Sequence, residues 1–202
     1  MTLSPAHISE IICTRISHDL IGNIGAVSNA VELLDEGDMD FMDDIRSILH
    51  LSSSVLSARL KFFRMAFGLN NSNLENAGTI RQTCNDYLQT IGNQSSALQL
   101  DLSLDSTVLG RMSMLTVMIL ADTAVKGGDL CVVASDTQIS ARFEAERYAT
   151  EKVKTIAALT QGILPDNLAF FAPGIYLFAL ASAAKMPVKV SGDDNGWNLN
   201  IG

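Results

Sequence analysis

The sequence predicts an α+β protein, with an antiparallel hairpin of two long helices followed by a small α/β sandwich. Two long stretches with helical spacing of apolar residues come first, and shorter segments of alternating strand and helix character follow. The pattern changes at the polar linker 68–73, which contains a glycine and three asparagines. We therefore predict a helical domain at 1–73 and a sandwich domain at 74–202.

The first helix is predicted from Pro5 to about Asp35. Ser4 followed by Pro5 is typical of an N-cap and a first-turn proline, and Gly37 is expected to end the helix. Apolar residues recur at steps of three and four, which is the spacing of one helix face. These residues are Ile8, Ile12, Ile16, Leu20, Ile24, Val27, Val31 and Leu34.

A second helix is predicted from about residue 40 to Phe67, where Gly68 ends it. Two long helices joined by a short turn form an antiparallel hairpin that cannot cover its own apolar surface. Two copies of such a hairpin commonly pair as a four-helix bundle. The sequence therefore predicts a homodimer built on a dimeric four-helix bundle.

The remaining chain predicts a small mixed or antiparallel sheet with helices on one face. A strand is expected at 97–103, and two hairpins are expected at 130–145 and 187–201. Asn195-Gly196 is the strongest turn signal in the chain, and it is predicted to join the strands of the second hairpin. Helices are predicted at 75–91, 108–126, 151–161 and 174–185.

Composition and charge exclude several classes of function. A net charge of −8 argues against binding to nucleic acid or to an anionic membrane surface, since both need a basic face. No apolar run reaches the roughly 18 residues that span a bilayer, and the first residues lack the features of a signal peptide. Three widely spaced cysteines fit neither a disulfide framework nor a zinc site. We expect a cytoplasmic protein without a metal of its own.

The stretch Ser17–Val27 has the strongest functional signal. His18 and Asp19 are adjacent, and Gly22 and Gly25 follow, although each glycine costs a helix interior roughly 1 kcal/mol. Helical geometry places His18 about 160° from the middle of the apolar stripe, so its ring is predicted to face solvent. Asp19 can accept a hydrogen bond from one ring nitrogen, which leaves the other as a nucleophile.

A partner-contact surface is predicted around this histidine. The glycines remove side-chain bulk beside the ring, which makes room for a globular partner. The alternative is an exposed histidine without function, which is common on helices. The predicted contact residues are Ile11, Thr14, Arg15, Ile21, Gly22 and Gly25.

The run His18–Asn23 resembles the H-box of sensor histidine kinases. With Asn29 and the run 32–34 (Glu-Leu-Leu), it is more similar to the alphaproteobacterial histidine phosphotransferases of the ChpT type. Two departures are Asn23, where these families usually have proline, and Gly22, where many kinases have threonine or asparagine. The second departure argues against phosphatase activity.

This resemblance implies a fold, an activity and partners. The hairpin would be the dimerisation and phosphotransfer domain, and 74–202 would resemble a histidine-kinase ATPase domain. His18 would take a phosphoryl group from the receiver domain of a hybrid sensor kinase and pass it to response regulators. No cofactor is expected on this chain, and the receiver would supply Mg²⁺.

The nucleotide motifs of a kinase are missing from the second domain. Helix 108–126 has no asparagine, no Asp-x-Gly-x-Gly is present, and Pro173-Gly174 offers one glycine where a phosphate loop would be. We therefore predict a degenerate ATP-binding-like domain and no ATP-dependent autokinase activity. Two alternatives remain open: a divergent sensor histidine kinase core, and a non-catalytic dimeric scaffold that binds a response regulator.

Overall fold

The two long helices form the predicted hairpin. The computed structural model describes residues 3–35, 41–69, 72–91 and 97–202, and the predicted helix end at Gly37 lies outside them. Helix α1 spans Pro5–Asp35 and packs along α2, Met42–Phe67. The hydroxyl of Ser4 accepts a hydrogen bond from the backbone N–H of His7 at 3.2 Å, so the predicted N-cap is confirmed.

The rest of the chain contains all the predicted helices and strands, with ends that differ by a few residues. The structure also contains a short 3₁₀ turn at Ser72–Leu74. The order is α3 Ala77–Gln89, β1 Leu98–Leu104, α4 Gly110–Asp122, β2 Gly128–Ala134, β3 Ile139–Glu144, α5 Thr150–Leu159, α6 Ala172–Ala183, β4 Val188–Asp193 and β5 Gly196–Ile201.

The five strands form one mixed sheet in the order β1-β2-β3-β5-β4. Strands β1 and β2 are parallel, and the other neighbouring pairs are antiparallel. Along β2, Leu130 and Val132 are buried while Cys131 and Val133 are exposed, as expected for a sheet covered on one face. The predicted α+β class is confirmed.

The turn of the second hairpin lies one residue earlier than predicted. Asp193 pairs with Gly196, so the turn residues are Asp194 and Asn195, and Gly196 begins β5. A Cβ atom at position 196 would overlap the carbonyl oxygen of Phe143 in the neighbouring strand β3. The glycine is therefore required by the close approach of β3, which sequence-based turn rules do not include.

The hairpin and the sandwich share one hydrophobic core. Phe62 and Phe63 near the end of α2 are buried together with residues of α3, α4 and the sheet. The ring of Phe62 stacks on Tyr87 of α3 with 4.0 Å between centroids. The last turns of α2 are therefore anchored in the core of the sandwich.

Candidate phosphotransfer site

The side chain of His18 projects from α1 into solvent, as predicted, and is 84% exposed. Its Nδ1 lies 3.4 Å from Oδ1 of Asp19. Nε2 is on the opposite side of the imidazole ring and is therefore directed away from the carboxylate. A proton on Nδ1 would leave the lone pair of Nε2 available to a partner.

The surface on the C-terminal side of His18 is open. A Cβ atom added to Gly22 or Gly25 would meet no atom of the described residues within 4 Å, so none of these residues requires glycine there. Thr14 and Ile21 are exposed on the same part of α1. Thr14, Ile21, Gly22 and Gly25 are therefore accessible to a partner, as residues of a contact surface must be.

Two residues of the predicted contact surface, Ile11 and Arg15, are buried, so their placement there was wrong. Ile11 packs against residues of α5 and α6, including Leu159 and Ile175. The helical wheel distinguishes the side that faces α2 from the opposite side. The helical wheel contains no information about the sandwich, which covers the first half of α1 from a second direction. It therefore overestimates the exposure of Ile11 and Arg15.

Arg15 connects α1 to the sandwich through charged contacts. Its Nε donates to Oδ2 of Asp19 at 2.7 Å, and its two terminal nitrogens donate to the carboxylate of Asp122 at 2.8 and 3.0 Å. It also donates to the carbonyl oxygen of Phe170 at 2.7 Å, and the guanidinium carbon lies 5.3 Å from the centroid of the Phe170 ring. Burial alone would lower the pKa of Arg15, but Asp122 and Asp19 raise it above its ordinary value. The guanidinium therefore stays charged.

Asp122 at the end of α4 is the buried acceptor of this network. Burial raises its pKa above the ordinary value, and the attraction of Arg15 acts in the opposite direction. Nζ of Lys152 donates to the carbonyl oxygen of Asp122 at 2.8 Å and lies 4.4 Å from the centroid of the Phe170 ring. Sequence analysis missed these contacts, although one acidic residue directly after the apolar run 117–121 is a signal for a buried, paired charge.

Arg59 of α2 holds the same turn of α1 through the backbone. One of its terminal nitrogens donates to the carbonyl oxygen of Asp19. Its Nε and other terminal nitrogen donate to the hydroxyl and carbonyl oxygens of Thr90 at 3.1 and 2.9 Å. Asp19 is thus held by two arginines. The sequence analysis predicted neither of these contacts.

A cavity of about 10 Å³ lies between the end of α4 and the start of α6, and it is too small for an organic ligand. Binding sites for small molecules are typically about 300–1,000 Å³. The cavity is lined by Ile119, Asp122, Thr123, Lys152, Ile156, Phe170, Phe171, Pro173 and Gly174.

The part of the chain that the structure describes contains no group of three or more His, Cys, Asp and Glu side chains that could hold a metal ion. None of its helices has the length and hydropathy to cross a membrane. The three cysteines are free, and burial raises the pKa of the Cys84 thiol.

Several known proteins are similar to this chain, although no family model matches it. The protein phosphotransferase ChpT of Brucella abortus (strain 2308) is 43% identical over 68 residues. A solved structure of a bacterial phosphotransferase is similar with a TM-score of 0.80 and 22% identity, and covers 100% of this chain and 98% of its own. The predicted resemblance to the ChpT-type phosphotransferases is confirmed.

The extent of these similarities differs between sequence and structure. The aligned residues are 34% of this chain and about a third of the length, 32%, of the Brucella ChpT. The structural similarity to the bacterial phosphotransferase extends over the whole fold, hairpin and sandwich together. A blue-light activated histidine kinase of Erythrobacter litoralis EL346 is more distant, with a TM-score of 0.42 and 14% identity over 92% of this chain and 58% of its own.

Proposed function

We propose that this protein is a histidine phosphotransferase that carries a phosphoryl group between receiver-domain aspartates through a phosphohistidine at His18. The observation that carries this proposal is the exposed imidazole, with a carboxylate beside Nδ1 and an open, glycine-containing surface next to it. The similarity to a ChpT phosphotransferase supports the same activity.

The chemistry requires a nucleophile, a stable charge arrangement and close positioning. The lone pair of His18 Nε2 attacks the phosphorus of the receiver's aspartyl phosphate. The N–P bond forms as the acyl P–O bond breaks, and the electron pair leaves with the receiver's carboxylate. The proton on Nδ1 stays between the ring and Asp19, whose negative charge stabilises the phosphorylated, positively charged ring. Transfer to a second receiver is the reverse of this step.

We propose that the phosphoryl group comes from another protein and not from ATP. The absence of kinase nucleotide motifs from the sequence of the second domain supports this proposal. The proposed partners are the receiver domain of a hybrid sensor kinase and one or more response regulators, in the cytoplasm. Mg²⁺ would be bound by the receiver.

Two incubations test the proposed function and its alternatives. With a receiver domain phosphorylated by labelled acetyl phosphate, we expect acid-labile, base-stable phosphate on His18. With labelled ATP alone, we expect none. Label from ATP alone would instead identify a divergent kinase. A stable complex with the receiver but no label on His18 would identify a non-catalytic scaffold.

We propose that the functional unit is a homodimer formed by the two hairpins. Large apolar side chains on both helices remain exposed in the single chain, and such surface is usually covered by a partner. They include Ile24, Val31, Ile48 and Leu51. Continuity of this surface along α1 and α2 supports a four-helix bundle with a second copy.

The dimer is tested by sedimentation equilibrium at micromolar concentration. We expect a mass twice the 21.7 kDa of the chain. Leu51→Glu should shift the protein toward the monomer, because it would place a charge in the bundle. Val133→Glu, on the exposed face of the sheet, is the matched control and should leave the mass unchanged. A monomeric wild-type protein would contradict the proposal.

A further inference from the structure

We infer that Asp122, Arg15 and Arg59 are positioning residues for phosphotransfer, which act by holding Asp19 in a fixed place beside His18. This inference rests on the proposed function. It assigns a role to the sandwich domain, since Asp122 lies on α4 and Thr90, which anchors Arg59, directly follows α3.

The two oxygens of Asp19 have different partners. Oδ2 accepts from Arg15 at 2.7 Å, and Oδ1 lies 3.4 Å from Nδ1 of His18. Because a carboxylate is rigid and planar, fixing Oδ2 also fixes the direction from which Oδ1 meets the imidazole. Asp19 is 17% exposed, whereas His18 is 84% exposed. The carboxylate is thus the anchored member of the pair, and the ring is the free member.

Arg15 is in turn held by Asp122. The guanidinium is a planar group with donors in a fixed fork, and Asp122 binds two of its nitrogens while the third, Nε, binds Asp19. The carbonyl oxygen and the ring of Phe170 hold it further. The position of Asp122 therefore determines the position of Nε, and Nε determines that of the Asp19 carboxylate.

Arg59 holds the backbone at the same residue. It joins the carbonyl oxygen of Asp19 to Thr90, so the turn of α1 that bears His18 is bound to α3 as well as to α4. The shared hydrophobic core already packs the hairpin against the sandwich. The additional contacts of both arginines with Asp19 are the feature that connects this packing to the phosphotransfer site.

Asp122→Asn tests the inference in the full-length protein. We expect single-turnover transfer from a saturating phosphorylated receiver to be about tenfold slower, as for other residues that orient a reacting group. The Kd for the receiver should stay within about twofold, because the Asp122 side chain is largely covered, at 17% exposed, and lies on α4 rather than on the surface around His18. Asp193→Asn is the control: Asp193 also pairs with an arginine, but this arginine, Arg142, lies on β3 and not on α1. It should transfer at the wild-type rate.

A double-mutant cycle distinguishes positioning from general destabilisation. If Asp122 acts through Asp19, then Asp122→Asn should cause no further slowing in an Asp19→Asn background. Equal slowing in both backgrounds, or wild-type transfer by folded Asp122→Asn, would overturn the inference. Absence of phosphohistidine in the wild-type protein would overturn the proposed function itself, so the two failures are distinguishable.

Arg15→Lys is the second variant in case Asp122→Asn does not fold. Lysine keeps a positive charge near the two carboxylates but has no fork to bind both, so transfer should slow at an unchanged Kd for the receiver. Wild-type transfer by this variant would reject the inference. If neither variant folds, the network is required for folding alone. That result would also reject the inference.

Discussion

His18→Ala is expected to abolish phosphate acceptance from a phosphorylated receiver, with a loss on the order of a thousandfold or more. The reason is that the imidazole supplies the proposed nucleophile, and the methyl group of alanine has no lone pair to form the N–P bond. The measurement is the rate at which label leaves the receiver and appears on this protein. Folding should be unaffected, because the side chain is 84% exposed and has no role in the core.

His50→Ala is the matched control for this variant. His50 is also exposed on the hairpin, on α2, but no carboxylate is adjacent to it in the chain. It should accept phosphate at the wild-type rate. Binding of the receiver by His18→Ala should persist, because the predicted contact surface is otherwise intact. Transfer by His18→Ala at a measurable fraction of the wild-type rate would show that the phosphate is carried elsewhere.

The double variant Gly22→Ala, Gly25→Ala is expected to change stability and function in opposite directions. Each alanine should stabilise α1 by roughly 0.5–1 kcal/mol, because its Cβ would meet no atom within 4 Å of the site. The same two methyl groups would occupy space proposed for the receiver. Overpacking costs about 1–3 kcal/mol, so we expect the Kd for the receiver to rise by about 30-fold.

Isothermal titration and denaturant unfolding measure these two effects separately. Ser28→Ala is the control, since it replaces an exposed helical residue of α1 with a better helix former without adding bulk. It should leave the Kd unchanged. A double-alanine variant that binds the receiver as tightly as the wild-type protein would show that these glycines have no steric role in docking.

Local sequence patterns predicted much of the fold, because helix periodicity and capping depend on residues that are close together in the chain. The apolar spacing in α1, with Ser4 before Pro5, predicted both the course and the start of that helix. The strand expected at 97–103 is present as β1, Leu98–Leu104. Local patterns failed where a distant element approaches. Gly196 is a strand residue because β3 passes close to it, and no turn rule contains that information.

At the candidate site too, local patterns predicted some features and distant elements decided others. The solvent-facing direction of His18, the adjacent carboxylate and the open surface at the glycines all follow from helical geometry over eight residues, and the structure shows each of them. The burial of Ile11 and Arg15 does not follow from it. A helical wheel compares directions around one axis, whereas these two side chains are covered by elements more than a hundred residues later in the chain.

The sequence by itself predicted the two-part architecture, the candidate phosphoacceptor residue and the resemblance to ChpT-type phosphotransferases. These depend on periodicity, capping and a short motif, which are properties of neighbouring residues. Only the tertiary structure decided how Asp19 is held. Its partner Arg15 forms an ion pair with Asp122, which lies 107 positions later in the chain. A buried charge must find its counter-charge wherever the fold places one, and here the fold places it at the end of α4.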